Sequence, residues 1–234
     1  GVLTHSRNPA AHVAKPRRLP TTRTALTDSQ MAELTRVTAT TGTDSVLDSL
    51  ILRLHIETAC RRGGALALRV ADLDPENCVV QLREKGGTVR WQPISPTLMT
   101  SLLHHIEDRG GDAVDWLFRY RGGRKVTRRR YDYIWTLLGQ HLPWVATLQV
   151  TTHWLRYTTL TWVERNYSYA LARAYAGHTE SSGSIGATIT YVRATTQEVA
   201  QALSGLTGEP HPLASTPKTP VPQGAAAPVS PSDL

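Results

Sequence analysis

Two short segments, Cys78 to Arg83 and Thr88 to Ile94, constrain this chain more than any other feature. Both alternate and are rich in valine, the pattern of strands with one face buried. The link Glu84-Lys85-Gly86-Gly87 is short and glycine-rich, so the pair predicts one antiparallel hairpin with Lys85 at its tip. A further short strand is expected over Asp115 to Arg119.

The flanking sequence carries helical spacing instead. Thr27 or Asp28 can accept from the unpaired N–H groups of a first turn, which predicts a helix through about Val37. After Gly42 a second helix starts near Asp44, with Val46, Leu47, Leu50, Ile51 and Leu54 as its buried face. It runs into Glu57-Thr58-Ala59-Cys60-Arg61-Arg62-Gly63-Gly64, where two glycines break the pattern and leave Arg61 at a helix junction. Pro96 opens a helix to about Glu107, with Leu98, Leu102 and Leu103 toward the core. Another helix carries Tyr131, Ile134, Trp135 and Leu138 on one stripe. Thr151 to Asn166 follows Pro143 and turns Leu155, Thr159, Trp162 and Val163 inward. Ser168 to Tyr175 is a short helix ended by Gly177 as a left-handed cap. After a small polar loop, Thr179 to Gly186, a last helix spans about Thr195 to Leu203. The segment Pro210 to Leu234, rich in Pro, Ala, Ser and Thr, is expected to be disordered.

The 234 residues carry a formal charge of +7, which favours a polyanion as partner, either nucleic acid or an anionic membrane. No apolar run approaches the roughly 18 residues of a spanning helix, and the start lacks the succession of a signal peptide. A chain with no membrane partner, in the cytoplasm, is expected. The two cysteines, Cys60 and Cys78, are not at metal-ligand spacing, so no metal site is expected. Residues 1–25 hold Arg7, Lys15, Arg17, Arg18 and Arg23, interleaved with prolines and without an acid. Two accounts fit this arm: a solvated linker, or a strap that tracks a phosphate backbone. Between Arg119 and Arg130 lie Arg119, Arg121, Arg124, Lys125, Arg128, Arg129 and Arg130, a cluster expected to face solvent and to meet a polyanion there.

His153 and Arg156 lie three residues apart and share one helix face. Guanidinium matches phosphate oxygens in pairs, and imidazole moves a proton near neutral pH. With Arg61, Lys85, His178 and a tyrosine in the segment beyond Gly177, they make a phosphoryl-transfer inventory whose roles are filled without a metal or cofactor. Arginines stabilise the charge of a pentacoordinate phosphorus. Tyrosine can attack phosphorus to give a covalent aryl phosphodiester, and Lys85 can protonate the departing 5′ oxygen.

In this order, Thr58-Ala59-Cys60-Arg61, Glu84-Lys85-Gly86, His153-Trp154-Leu155-Arg156, Gly177-His178 and Tyr191 resemble the signature of the tyrosine recombinase, or phage integrase, family. Residues 57–69 and 206–213 look like the integrases of actinobacterial mobile elements. The resemblance covers about Leu26 to Leu203. It implies a mainly helical catalytic domain with a small antiparallel sheet over residues 26–205, between the arm at 1–25 and a tail at 206–234. It also implies a site-specific recombinase that cleaves duplex DNA through a 3′-phosphotyrosyl link. The catalytic set would be Arg61, Lys85, His153, Arg156, His178 and Tyr191. Lys15, Arg17, Arg18, Arg23, Arg124, Lys125, Arg128 and Arg129 would hold the DNA backbone. The family's N-terminal DNA-binding domain is not in this sequence, so the arm looks like the linker that joins it.

Strand exchange in the family needs a tetramer, with Thr195 to Leu203 as the candidate contact to a neighbour; a fragment alone would be a monomer. Two other readings stay open, a topoisomerase IB-like nicking and rejoining enzyme and a DNA-binding relative without catalysis. The chain departs from the family twice. Gly64 stands where many relatives carry an acid three residues after the first arginine, so a carboxylate bracing Arg61 must come from elsewhere or be absent. The interval from His178 to Tyr191 is longer than usual. Tyr175 and Tyr157 are the competing nucleophiles.

Overall fold

Helix α2, Ser45–Thr58, is the one against which most of the other helices pack. Asp44 caps its start by accepting from the Leu47 N–H, and Leu47, Leu50, Ile51, Leu52 and Leu54 are all buried. Val46 departs from the expected stripe and is 63% exposed. It precedes Leu47 by one residue, about 100° around the helix, and so leaves the face that Leu47, Leu50, Ile51 and Leu54 share. The computed structural model describes residues 24–84, 87, 89–177 and 194–214.

Within those bounds the order is α1 (Asp28–Thr40), α2, α3 (Arg62–Ala67), β1 (Leu73–Asp74), β2 (Val79–Arg83), β3 (Val89–Pro93), α4 (Pro96–Arg109), α5 (Arg128–His141), α6 (Pro143–Thr147), α7 (Thr152–Asn166), α8 (Tyr169–Tyr175) and α9 (Thr196–Thr207). The chain is mainly helical with one three-stranded antiparallel sheet, ordered β1-β2-β3. Thr27 starts α1 with a capping box to Gln30, as its sequence signals, and the helix runs three residues past Val37 to Thr40. β2 and β3 pair from Val79 opposite Pro93 to Arg83 opposite Val89, the hairpin that the alternation predicts.

Asp115 to Arg119 is not a strand. Its residues pair singly with two different segments, Trp116 with Arg69 and Arg119 with Lys125, so no continuous ladder forms. Trp116 instead meets two cations, the Arg69 guanidinium 4.3 Å and the Lys125 ammonium 4.1 Å from its ring centre. The basic cluster also divides. Arg124, Lys125, Arg128 and Arg129 are exposed, but Arg130 is buried against Asp48, at 2.6 and 2.7 Å, and Arg119 bonds Asp115 at 2.9 Å. Those two hold the fold together and do not face solvent as expected.

Two apolar clusters form the interior. The larger one joins α1, α2, α4, α5 and the sheet; the smaller one gathers Ala59 at the end of α2 with Val163, Leu171, Ala172, Tyr175, Val199 and Ala202 from α7, α8 and α9. Helix α9 continues past Leu203 because Gly205 lets it lie on Tyr167: a Cβ there would fall 2.4 Å from the Tyr167 hydroxyl. The described residues run to 214, past Pro210, where the disordered tail is expected to begin. Glu209 accepts from Arg53 and Thr97, and buried His211 donates to the Cys78 carbonyl at 3.0 Å. Among the described residues no helix is long and apolar enough to cross a membrane.

Candidate active site

The end of α2 sets the geometry. Ala59 closes that helix in the left-handed region (φ 49°) and donates to the His55 carbonyl. The chain then turns through Cys60 to Arg61, which is the N-cap of α3. His55 is buried beneath this turn, with Nδ1 donating to the Cys60 carbonyl at 3.1 Å and Nε2 accepting from the Tyr131 hydroxyl at 2.9 Å. Burial brings its imidazole down to about 4 and pushes the Cys60 thiol up to about 11. Both are neutral support at pH 7, and neither is a nucleophile or proton carrier.

Arg156 rises from α7 into the same turn. Its guanidinium donates to the Ala59 carbonyl and, at 2.9 Å, to the Ala176 carbonyl at the end of α8. One buried side chain therefore ties the turn before Arg61 to the turn before Gly177. Burial is the largest cause lowering the Arg156 guanidinium to about 10, and the neighbouring Arg61 and Arg90 add to it. It stays charged at pH 7, in surroundings that disfavour its charge. A bound anion would reverse that penalty.

Arg61, Arg62, Asp132, Trp135, His153 and Arg156 line one cleft of about 660 Å³. His153, exposed in the first turn of α7, lies on its rim. Trp135 steadies that turn by donating from its indole N–H to Thr152 Oγ1 at 3.0 Å.

Two further side chains beside Arg61 are not singled out by the sequence motifs. Glu84 has no exposed side-chain surface; it accepts from the Arg61 backbone N–H at 2.6 Å and from Arg61 Nη1 at 3.3 Å. Arg90 on β3 reaches the same carboxylate at 3.6 Å, while its Nε and Nη1 have no hydrogen-bond partner among the described residues. Desolvation lowers the Arg90 guanidinium below its ordinary value. The sequence signal for Glu84 is Gly64, which leaves a carboxylate bracing Arg61 either to come from elsewhere or to be absent.

The structure thus brings together Arg61, His153 and Arg156 of the predicted catalytic set. Lys85, His178 and Tyr191 lie outside the described residues, as do Lys15, Arg17, Arg18 and Arg23. Gly177 has φ +66°, and a Cβ on it would fall 2.4 Å from Arg90 Nε, so both backbone conformation and space require glycine before His178. Tyr175 is unsuited to attack: it is fully buried, its hydroxyl donates to the Glu57 carbonyl, and burial pushes its phenol well up.

The sequence profile described as the phage integrase family matches residues 24–198. The chain belongs to the phage integrase family. Solved structures share the integrase fold at low identity. XerA recombinase is 20% identical, with 70% of this chain matched to 58% of that one at a TM-score of 0.55. The Tn1549 transposon integrase in complex with a circular intermediate DNA is 17% identical, over 77% of this chain and 62% of that one, at 0.57. A lambda integrase tetramer bound to a Holliday junction is 16% identical, over 80% and 55%, at 0.55. The chain spans less than two thirds of the length of each of these three. No curated protein sequence matches it.

Proposed function

We propose that the chain is the catalytic domain of a tyrosine-type site-specific recombinase that cuts and rejoins duplex DNA through a 3′-phosphotyrosyl link. The observation that carries this reading is the convergence of Arg61 and buried Arg156 on one cleft, where positive charge is concentrated and a phosphodiester would relieve it. Arg61 and Arg156 hold the non-bridging oxygens and stabilise the charge that builds on phosphorus. The Tyr191 hydroxyl oxygen forms a bond to phosphorus as the bond to the 5′ oxygen breaks. Its proton passes to a histidine, His153 or His178, and Lys85 supplies a proton to the departing 5′ oxygen. Rejoining is the same displacement in reverse, with a 5′ hydroxyl as nucleophile.

Exposed Arg124, Lys125, Arg128 and Arg129 offer phosphate contacts, as do Lys15, Arg17, Arg18 and Arg23 of the arm. These fix register and carry no sequence information of themselves. Four copies would meet in the synaptic complex, as in the lambda integrase tetramer. In the single chain α9 folds back on its own body, burying Val199 and Ala202.

A nicked duplex that loses a short fragment on cleavage tests the reading, since the cut strand stays attached to protein. A denaturation-resistant adduct is expected. Binding without any adduct would leave a DNA-binding relative and discard catalysis. Adduct formation with plasmid relaxation, but no exchange between matched sites, would favour the topoisomerase-like alternative.

A further inference from the structure

We infer that Glu84 is the positioning residue for Arg61, supplying from the sheet the carboxylate for which position 64 has no side chain. The inference rests on the reading of the cleft as a strand-transfer site. Helix α3 has Arg61 as its N-cap, which makes Gly64 its third residue, N3. A carboxylate at N3 bonds back to the N-cap N–H, closing half of a capping box. Gly64 cannot do this. The Arg61 N–H is nevertheless paired, at 2.6 Å, with Glu84 Oε1 at the end of β2.

The two positions compete for one space. A Cβ built on Gly64 would lie 3.1 Å from Glu84 Cγ and 3.4 Å from its Oε1. A side chain at 64 would push the Glu84 side chain by a few tenths of an ångström from where it stands. In its observed place Glu84 holds Arg61 at both ends, main chain through Oε1 and guanidinium through Oε2. The second contact matters because the Arg61 side chain is 39% exposed and would otherwise sample many rotamers. The same Oε2 faces Arg90, so one buried carboxylate orients Arg61 while partly offsetting the positive charge beside it. Asp132, also on the cleft, is exposed and turns its carboxylate toward Arg128, at 4.0 Å.

Moving the carboxylate back tests this. In the full chain, Glu84→Ala should slow single-turnover cleavage of the nicked duplex by about 100-fold, the scale of a misplaced catalytic group, with DNA affinity within about threefold of wild type. Adding Gly64→Glu to Glu84→Ala should restore at least about tenfold of that loss, whereas Gly64→Glu alone should slow cleavage because two carboxylates crowd one site. A merely structural role would not be rescued from residue 64. Near-isosteric Glu84→Gln guards against misfolding, and its Arg61 amide proton resonance should move upfield as the charge-assisted bond weakens. Cleavage by Glu84→Ala within threefold of wild type would overturn the inference, as would a folded double variant without rescue, or an unmoved Arg61 amide. If wild type forms no adduct, the recombinase reading fails, and the amide resonance still decides whether Glu84 positions Arg61.

Discussion

Arg156 Nη2 donates to the Ala176 carbonyl at 2.9 Å while the same guanidinium holds the Ala59 carbonyl, so the Arg61 turn and the Gly177 turn are fixed by one side chain. The residue therefore serves fold and site together, and its removal should be felt in both.

Arg156→Lys keeps a charge but cannot span two carbonyls. We expect urea unfolding to show a loss of about 2 kcal/mol, from a buried acceptor left unpaired, and cleavage to fall by about 100-fold or more. Unchanged stability would mean that the two carbonyls are satisfied in some other way.

Gly177→Ala meets two obstacles at once, the positive φ and the Arg90 side chain. A cost of about 1 to 3 kcal/mol is expected from the backbone alone, together with displacement of Arg90. A melting temperature equal to wild type would contradict the geometry at this turn.

Stability should fall on acidification through the buried histidines. Burial lowers His55 and His105 from 6.5 to about 4, so between those values the unfolded chain binds more protons than the folded one. Their contribution is fully present above about 6.5 and is lost as pH drops toward 4. Raised Asp48 and Glu57 act in the opposite sense, so the comparison must be with a variant. Relative to His55→Gln, wild type should lose about 3 kcal/mol across that window. A constant difference between the two would show that His55 is not held neutral.

Much of this architecture is legible in the sequence because it rests on local pattern. The Thr27 cap, the hairpin alternation and the glycine after α8 each specify their geometry within a few residues. What escapes is set by long-range pairing. Arg130 looks like the other cations of its cluster, and only Asp48, far back on α2, turns it inward. Glu84 reads as part of a hairpin link because its partner, the Arg61 N–H, is 23 residues away. Position 205 reads as a helix end until Tyr167 is seen against it. The site shows the same division, since motif order names Arg61, His153 and Arg156 but not the Glu84 and Arg90 side chains beside them.

The cation cluster gives a separate test. Replacing Arg124, Lys125, Arg128 and Arg129 by alanine should flatten the salt dependence of DNA binding by about 0.9 in slope for each phosphate that is no longer neutralised. Arg130→Ala should instead lower stability by about 3 to 5 kcal/mol, because Asp48 is left buried and unpaired. Equal effects of the exposed and buried arginines on the slope would refute this division.

In the proposed reaction Arg61 and Arg156 clamp a phosphate under attack by Tyr191. Mass spectrometry of the protease-digested adduct, formed on the nicked duplex, tests it most directly. The expected result is a nucleotide attached through its 3′ phosphate to the peptide containing Tyr191, and no adduct from Tyr191→Phe while DNA binding persists. A nucleotide found on any other residue, or an adduct that survives in Tyr191→Phe, would contradict it.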